Sequence, residues 1–476
     1  MGEAINIKDN FMLDKSIGLL LIKLSFPPMA GMMIYSMFSL VDTFFVAKLG
    51  SISLAALTVC IPVLILITSI ASATGVGLTS LLSRTLGAGD IKTADNIAWH
   101  GLIIGIGYGV FFLLLNANYI DNLLILFGCT PETFVLSKQY LHIILLGCIF
   151  TFIPMILGNI IQGEGNTFFP MFVSLIGIAL NVIFDPLLIF GFGSFEGMGL
   201  KGAAIASVAA EIISSIIIII YILKKRSFLT WAITNFSPSL KILIDIYKVG
   251  IPAMIMEVTG VVIMAFLNRV LAGFSCTAIA TLGIFLRVRS LIYMPVYGLA
   301  QGAMPIAGFA YGVKNLDRVK ETIIKVSVLA FLIMGGAWIL IQFYPVWIMD
   351  FFSDEPALTL LGITCLRMAT LFLPLMGPLT VLYSVLQALG KGTTAMWLSL
   401  IRQVIFFLPL LVILPHYLSL KGVWLAFSLS ELLTSILAAC FLIRLWRELQ
   451  MKNKVPVVML LKLGYTFKRI MAWLKW

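Results

Sequence analysis

The sequence predicts an all-α integral membrane protein in which twelve transmembrane helices form two pseudo-symmetric six-helix bundles. Three observations carry that expectation: an apolar composition, an internal repeat and a one-sided distribution of basic loops. Of 476 residues, 61% are hydrophobic and 11% charged, and the mean hydropathy is +1.09. A water-soluble globule of that composition could not cover its surface with polar groups. Helices are expected rather than a barrel, because the apolar segments reach the roughly 20 residues needed to cross a bilayer and short alternating strands are missing.

The repeat is read from dispersed matches at a constant offset. Gln162-Gly163-Glu164-Gly165 is echoed 225 residues later by Gln387-Ala388-Leu389-Gly390. The same offset relates Lys23–Pro28 to Lys248–Ala253, and Leu86-Gly87-Ala88-Gly89-Asp90 to Tyr311-Gly312-Val313-Lys314-Asn315. Gly199–Ala206 and Ser419–Ala426 match at an offset of 220, each with a glutamate five residues on, Glu211 and Glu431. Two such halves in an apolar chain are how many secondary transporters are built, with a site between or inside them.

Taken in order, the expected spans are 17–47, 53–83, 95–117, 133–162, 167–191 and 200–224, then 240–272, 277–307, 319–344, 357–390, 392–416 and 420–446. Six spans per half is an even number, so both halves enter from one side and the repeat is parallel. The expected domains are an N-terminal lobe over 1–235, a C-terminal lobe over 236–447 and a basic amphipathic tail over 448–476 lying on the anionic leaflet.

Basic residues fix the orientation. Arg84, Lys92, Lys224-Lys225-Arg226, Lys241, Lys314, Arg318, Lys320 and Lys391 fall on one side, and Lys48, Lys138, Lys201 and Lys421 on the other. The positive-inside rule then places both termini in the cytoplasm, in the cytoplasmic (inner) membrane of a prokaryote. Much of the +11 net charge is accounted for by topology, so no nucleic-acid partner is expected. No cleavable signal peptide is expected either, since Met1–Ser16 mixes acids and bases before the first span.

The six cysteines form no C-x-x-C pair and the three histidines are scattered, so no metal-ligand set is read. There is no P-loop and no acidic repeat to hold a diphosphate and magnesium. An enzyme and direct ATP driving are therefore not expected; transport would be coupled to an ion, with no cofactor.

Ionisable residues inside spans cost roughly 2.5–3.5 kcal/mol on insertion scales, so each needs a partner or a purpose. Asp42 lies about six residues, or ~9 Å, inside the outer end of span 1. Asp185 sits similarly in span 5, with Asn181 one turn before it, and Ser207 enters span 6 to a comparable depth. These are all oxygen donors, suited to a proton or a sodium ion. No mid-membrane cation balances Asp42, Asp185 or Glu211. In the second half, by contrast, Glu257 and Glu431 share their depth with Arg287, Arg289 and Arg367, and ion pairs are expected there. Pro27, Pro28 and Gly31 weaken span 1 where it could flex.

Val41–Gly50 (VDTFFVAKLG), Gln162–Gly165, Asn181–Pro186 (NVIFDP) and Gly202–Ala206 resemble the signature segments of the multidrug and toxic compound extrusion (MATE) transporters of the MOP superfamily, most closely their DinF-like branch. The resemblance runs from about residue 16 to 447. It implies two six-helix lobes around a V-shaped cleft, and efflux of amphipathic organic cations or drugs by alternating access, driven by proton or sodium antiport. It also implies that Asp42, Asn181 and Asp185 form the N-lobe cation site, with Ser207 near the family's threonine and Pro27 near a bend in span 1. Glu257 does not align cleanly with the C-lobe glutamate of the NorM branch. The alternative reading is a flippase for lipid-linked oligosaccharide or related lipid cargo, for which mid-membrane arginines would supply a basic cavity. The bundle can be complete as a monomer, with membrane lipid as its surroundings.

Overall fold

The computed structural model describes residues 12, 15–193, 195–224, 227–352 and 355–454, without the side chains of 35–44, 47, 195, 276 and 445–454. The first half comprises α1 (Ile17–Ala47), α2 (Ser51–Gly87), α3 (Ile91–Leu126), α4 (Pro131–Gly163), α5 (Phe168–Phe190) and α6 (Leu200–Leu223). The second comprises α7 (Leu240–Ala272), α8 (Cys276–Gly312), α9 (Leu316–Phe343), a short α10 (Pro345–Asp350), α11 (Pro356–Ala369), α12 (Leu373–Ala388), α13 (Gly392–Leu400), a π-helical segment (Ile401–Phe407), α14 (Leu408–Leu418) and α15 (Leu420–Lys454). Among the described residues eleven helical segments are long and apolar enough to cross a membrane, α13 to α14 counting as one. The bent pair α11–α12, angled by 56°, supplies a twelfth. The tail beyond 454 lies outside the described residues.

Three local features depart from the expectation of plain helices. The tenth span breaks at Thr370–Phe372, and the eleventh carries the π segment. Between α5 and α6 the chain forms a two-stranded hairpin, β1 (Gly191–Phe192) with β2 (Phe195–Glu196).

The repeat extends to individual dihedrals and caps. Gly89 and Lys314, 225 residues apart, both take positive φ (81° and 63°), and so do Gly199 and Ser419 (59° and 50°). The next residue after the first pair caps the following helix in both halves: Asp90 Oδ1 accepts Thr93 N–H at 3.0 Å, and Asn315 Oδ1 accepts Arg318 N–H at 3.0 Å. An oxygen side chain at that position satisfies one of the open donors of the first turn.

The halves meet along α1–α8 and α2 with α7 and α8. At the ends of α2 and α8 the approach is reciprocal: a Cβ on Gly87 would lie 2.3 Å from Phe309 O, and one on Gly312 would lie 2.2 Å from Arg84 O. Arg84 and Phe309 are themselves repeat equivalents. Farther along the seam Ser25 Oγ donates to Leu299 O (3.2 Å), Ser80 Oγ to Gln387 O (2.5 Å), Gln162 Nε2 to Gln301 O (3.1 Å) and Ser72 Oγ to Glu257 Oε1 (3.0 Å), and the Tyr108 and Tyr247 hydroxyls bond to each other. Most of these positions lie toward the face from which the chain enters, here the terminal face, with Ser72, Tyr108 and Glu257 near mid-helix. The buried clusters agree. The core of the first half at the opposite, far face (Val46, Ala56, Cys60, Phe112, Phe152) contains no residue of the second half. Both other clusters are shared: Ile242 and Ile246 of α7 pack with the first half, and Ile17, Leu20 and Leu24 of α1 pack with the second. The cleft between the halves therefore opens at the far face.

Helix α1 changes partner along its length. Its start lies in the second-half core, and Gly298 and Gly302 of α8 press against Met29 and Ser25. From Gly31, where a Cβ would meet Met171 Cγ at 2.9 Å, it packs on the first half. Pro27 and Pro28 fall at this changeover inside the helix. Lacking N–H groups, they leave the carbonyls four residues earlier without helical donors.

The segment joining the halves is fastened to the first. Buried Asp95 on α3 accepts Thr230 N–H (2.9 Å), Trp231 N–H (3.3 Å) and Asn235 Nδ2 (2.8 Å), and also the Thr230 hydroxyl. His100 donates Nδ1–H to Asn96 O (2.8 Å) and accepts Ser239 N–H at Nε2 (3.0 Å). Just past α4, Glu164 accepts Ser227 Oγ–H (2.5 Å) and Phe228 N–H (3.0 Å). Burial pushes the Glu164 carboxyl up to about 7, against the lowering effect of those two bonds.

Two outcomes test these features. Gly87→Ala and Gly312→Ala are each expected to lower stability by about 1–3 kcal/mol, the usual cost of overpacking. Gly335→Ala, whose Cβ meets nothing within 4 Å, should not; thermal unfolding in detergent reads the difference. A carboxyl raised on folding stabilises most fully below its unfolded value, and that stability is lost as pH rises through the folded value. The wild-type melting temperature should therefore fall from about pH 4.5 to about pH 7, and Glu164→Gln should reduce that slope. Equal slopes would assign the titration to another group.

Candidate functional site

Helix α5 is an apolar run interrupted by Asn181 and Asp185, spaced four residues apart and so placed on one face. Asn181 Nδ2 donates to Ser207 Oγ of α6 at 3.0 Å, and Asp185 is fully buried. Pro186 follows inside the helix and removes the donor that Val182 O would use. At the far ends of α1 and α5 the Phe45 and Phe190 rings meet edge to face, 6.3 Å apart. Val46 and Ile189 belong to one core cluster with Ala203 and Ala204 of α6. The α1 backbone at residue 42 lies three residues before that contact, close to the level of Asp185; the side chain of Asp42 is outside the described residues. Asn181, Asp185 and Ser207 thus come together on adjoining faces of two packed helices. This arrangement can offer oxygen donors to a small cation or hold a proton.

The remaining intramembrane charges sort differently from the expectation. Glu211, one turn beyond Ser207, lies close enough to Cys148 of α4 to act on it electrostatically. Glu257 does not turn to Arg287 or Arg289; it is exposed at the seam and bonds Ser72. Arg287 and Arg367 are exposed as well. The physical reason is helical phase. Arg287 and Arg289 sit two residues apart, about 200° around α8, so they cannot face the same neighbours. Arg289 faces inward, its guanidinium 4.9 Å from the Tyr293 ring centroid and 5.8 Å from that of Phe427. Glu431, 3% exposed, lies in the field of Arg289 and Arg402.

Arg402, on the π segment, was missed by the sequence reasoning. The available signal was a basic residue in mid-span, the same signal that singled out Arg289.

Comparison with known proteins follows this geometry. The sequence profile of the MatE family matches residues 27–187 and 252–413, two segments that begin 225 residues apart. The multidrug export protein MepA of Staphylococcus saprophyticus is 26% identical over 426 residues, covering 89% of this chain and 93% of the relative. MepA of Staphylococcus aureus is 27% identical over 429 residues, with the same coverage. Among solved structures, an outward-facing multidrug resistance MATE family transporter of the MOP superfamily superposes with a TM-score of 0.86 at 27% identity, covering 92% of this chain and 98% of that one. A MOP superfamily transporter from Pyrococcus furiosus superposes with a TM-score of 0.84 at 27% identity and the same coverage. With two matched repeats spanning most of its length, and twelve spans in two bundles to match, the chain belongs to the MatE family of membrane transporters.

Proposed function

We propose that this protein exports amphipathic organic cations or drugs, driven by the inward movement of a proton or sodium ion bound by Asp42 and Asp185, with Asn181 and Ser207 completing the oxygen set. The observation that carries the reading is Asp185, fully buried at the far-face end of α5 beside the Asn181–Ser207 bond. With the basic loops in the cytoplasm, the cleft opens outward. Its release-competent state matches the outward-facing description of the similar MATE structure, and the relatives' description as multidrug exporters supports drugs as cargo.

In this reading a cation entering from outside neutralises the acids, changes the packing of α1 on α5 and α6, and favours release of the drug. Loss of the cation to the cytoplasm resets the pump. Coupling requires that cation and drug favour different states or exclude one another. The changeover of α1 at Pro27–Pro28 and Gly31 provides a place for that repacking, because the helix there is short of backbone bonds. A lipid flippase is less well supported: the arginines that would build a basic cavity diverge, with Arg287 and Arg367 exposed and Arg289 under aromatic rings.

Ethidium efflux from cells expressing the protein tests this, with the proton and sodium gradients collapsed separately. Asp42→Asn and Asp185→Asn should each abolish gradient-driven efflux while leaving membrane expression intact, and collapse of only one gradient should stop the wild type. Full efflux by both variants would refute the assignment.

A further inference from the structure

Three irregularities converge in the second half. The break of the tenth span at Thr370–Phe372 and the buried carboxylate of Glu431 on the twelfth border one small cavity, and the π segment Ile401–Phe407 of the eleventh brings Arg402 toward the same carboxylate. Glu431, Arg289, Thr370, Ala369 and Leu373 line the cavity, and it has room for about one water-sized guest. Non-helical backbone at membrane depth is tolerated where it is buried in protein or lines a cavity, and broken helices mark ion sites in transporters. Here the freed Leu371 N–H is taken by Ser428 Oγ (3.1 Å), three residues before Glu431 on α15.

The carboxylate itself is only half satisfied. Tyr293 O–H reaches Glu431 Oε1 at 3.5 Å, a long contact, and buried Oε2 has no hydrogen-bond partner among the described residues. Nor does any lysine or arginine nitrogen among them come within 4.0 Å of Glu431. The two guanidiniums are near but held off, Arg289 between the Tyr293 and Phe427 rings and Arg402 on the π segment, where its Nε is also unpartnered. The other titratable groups facing this cluster are Tyr297 on α8 and Tyr383 on α12. Arg367 on α11 is exposed, and the titratable groups on α14, His416 and the exposed Tyr417, lie in its last turn.

We propose that Glu431 is a proton-exchange site of the C-terminal half, alternating between a protonated carboxyl facing the cavity and a carboxylate paired with Arg289 and Arg402. A proton fits where a metal cation does not, since two neighbouring guanidiniums repel a cation while a proton neutralises the acid without occupying the cavity. When Glu431 loses its proton to cavity water, the bare carboxylate draws the arginines in; when it regains one, they return to the rings and the π segment. An ion pair so formed in a dry interior would couple α15 to α8 and to the eleventh span, because leaving either charge unpaired there is costly. This site is separate from the Asp42–Asp185 cluster, and the inference does not rest on it.

Infrared difference spectroscopy of the purified full-length protein, taken between acidic and alkaline pH, tests the proposal through the C=O stretch of protonated carboxyl groups. A titrating component is expected in the wild type, in Glu431→Asp and in Asp185→Asn, and is expected to be lost in Glu431→Gln. Its retention in Asp185→Asn separates this site from the first-half reading. A Glu431→Gln spectrum identical to wild type overturns the proposal. Should that variant not fold, Arg402→Gln is expected to move the midpoint of the same component, and an unmoved midpoint overturns the proposal equally.

Discussion

The close backbone approach of α2 and α8 is the constraint on which the rest of the architecture depends. Lipid tails are as apolar as the helices, so the two halves gain little by hiding apolar surface from one another; close packing and interhelical hydrogen bonds must join them. Gly87 and Gly312, themselves repeat partners, permit that packing reciprocally, one against the carbonyl of Phe309 and the other against that of its repeat equivalent Arg84. Serines and glutamines along the same seam add hydroxyl and amide bonds to backbone carbonyls. Because these contacts lie toward one face, the opposite face is free to part, and α1 is left with its start in one half and its end in the other.

The halves share a backbone but not a chemistry. The same turn geometry and helix caps recur at the 225-residue offset, down to a lysine accepting the positive φ that its counterpart meets with glycine. That acceptance costs Lys314 some strain which Gly89 avoids. The polar groups diverge: the first half gathers acids and small oxygen donors on regular helices, while the second gathers arginines, tyrosines and one acid where its helices are broken or widened into a π turn. A duplicated scaffold thus carries one oxygen-rich cluster and one cluster in which cations outnumber the acid.

Much of this was legible in the residues. Composition and apolar runs placed most of the spans to within a few positions, though the third helix runs nine residues past the expected end, to Leu126; the repeat supplied the two-bundle plan, because both are properties of short windows or of a constant offset. The neighbourhood of Asn181, Asp185 and Ser207 was also readable, since span depth can be counted from helix ends. Side-chain partners across the membrane were not. Whether Glu257 meets an arginine or Ser72 depends on helix rotation, which span counting leaves undetermined. The break at Thr370–Phe372 and the π segment carry no proline at their centres, and the backbone of the break is held by Ser428 on another helix. The anchoring of the linker by Asp95 joins residues 135 to 140 positions apart, beyond the reach of any local pattern.

The fastening of that linker has a mechanical corollary. With residues 227–239 held against α3 and α4, the second half is not hung on a slack tether; the foot of α7 itself, at Ile242 and Ile246, packs on the first half. A helix of 33 residues is about 50 Å long, so a tilt of about 10° about its foot would carry its far end sideways by about 9 Å. A packed foot set at one membrane surface is then the fulcrum of a lever whose stroke at the other surface is comparable to the width of a small aromatic cargo.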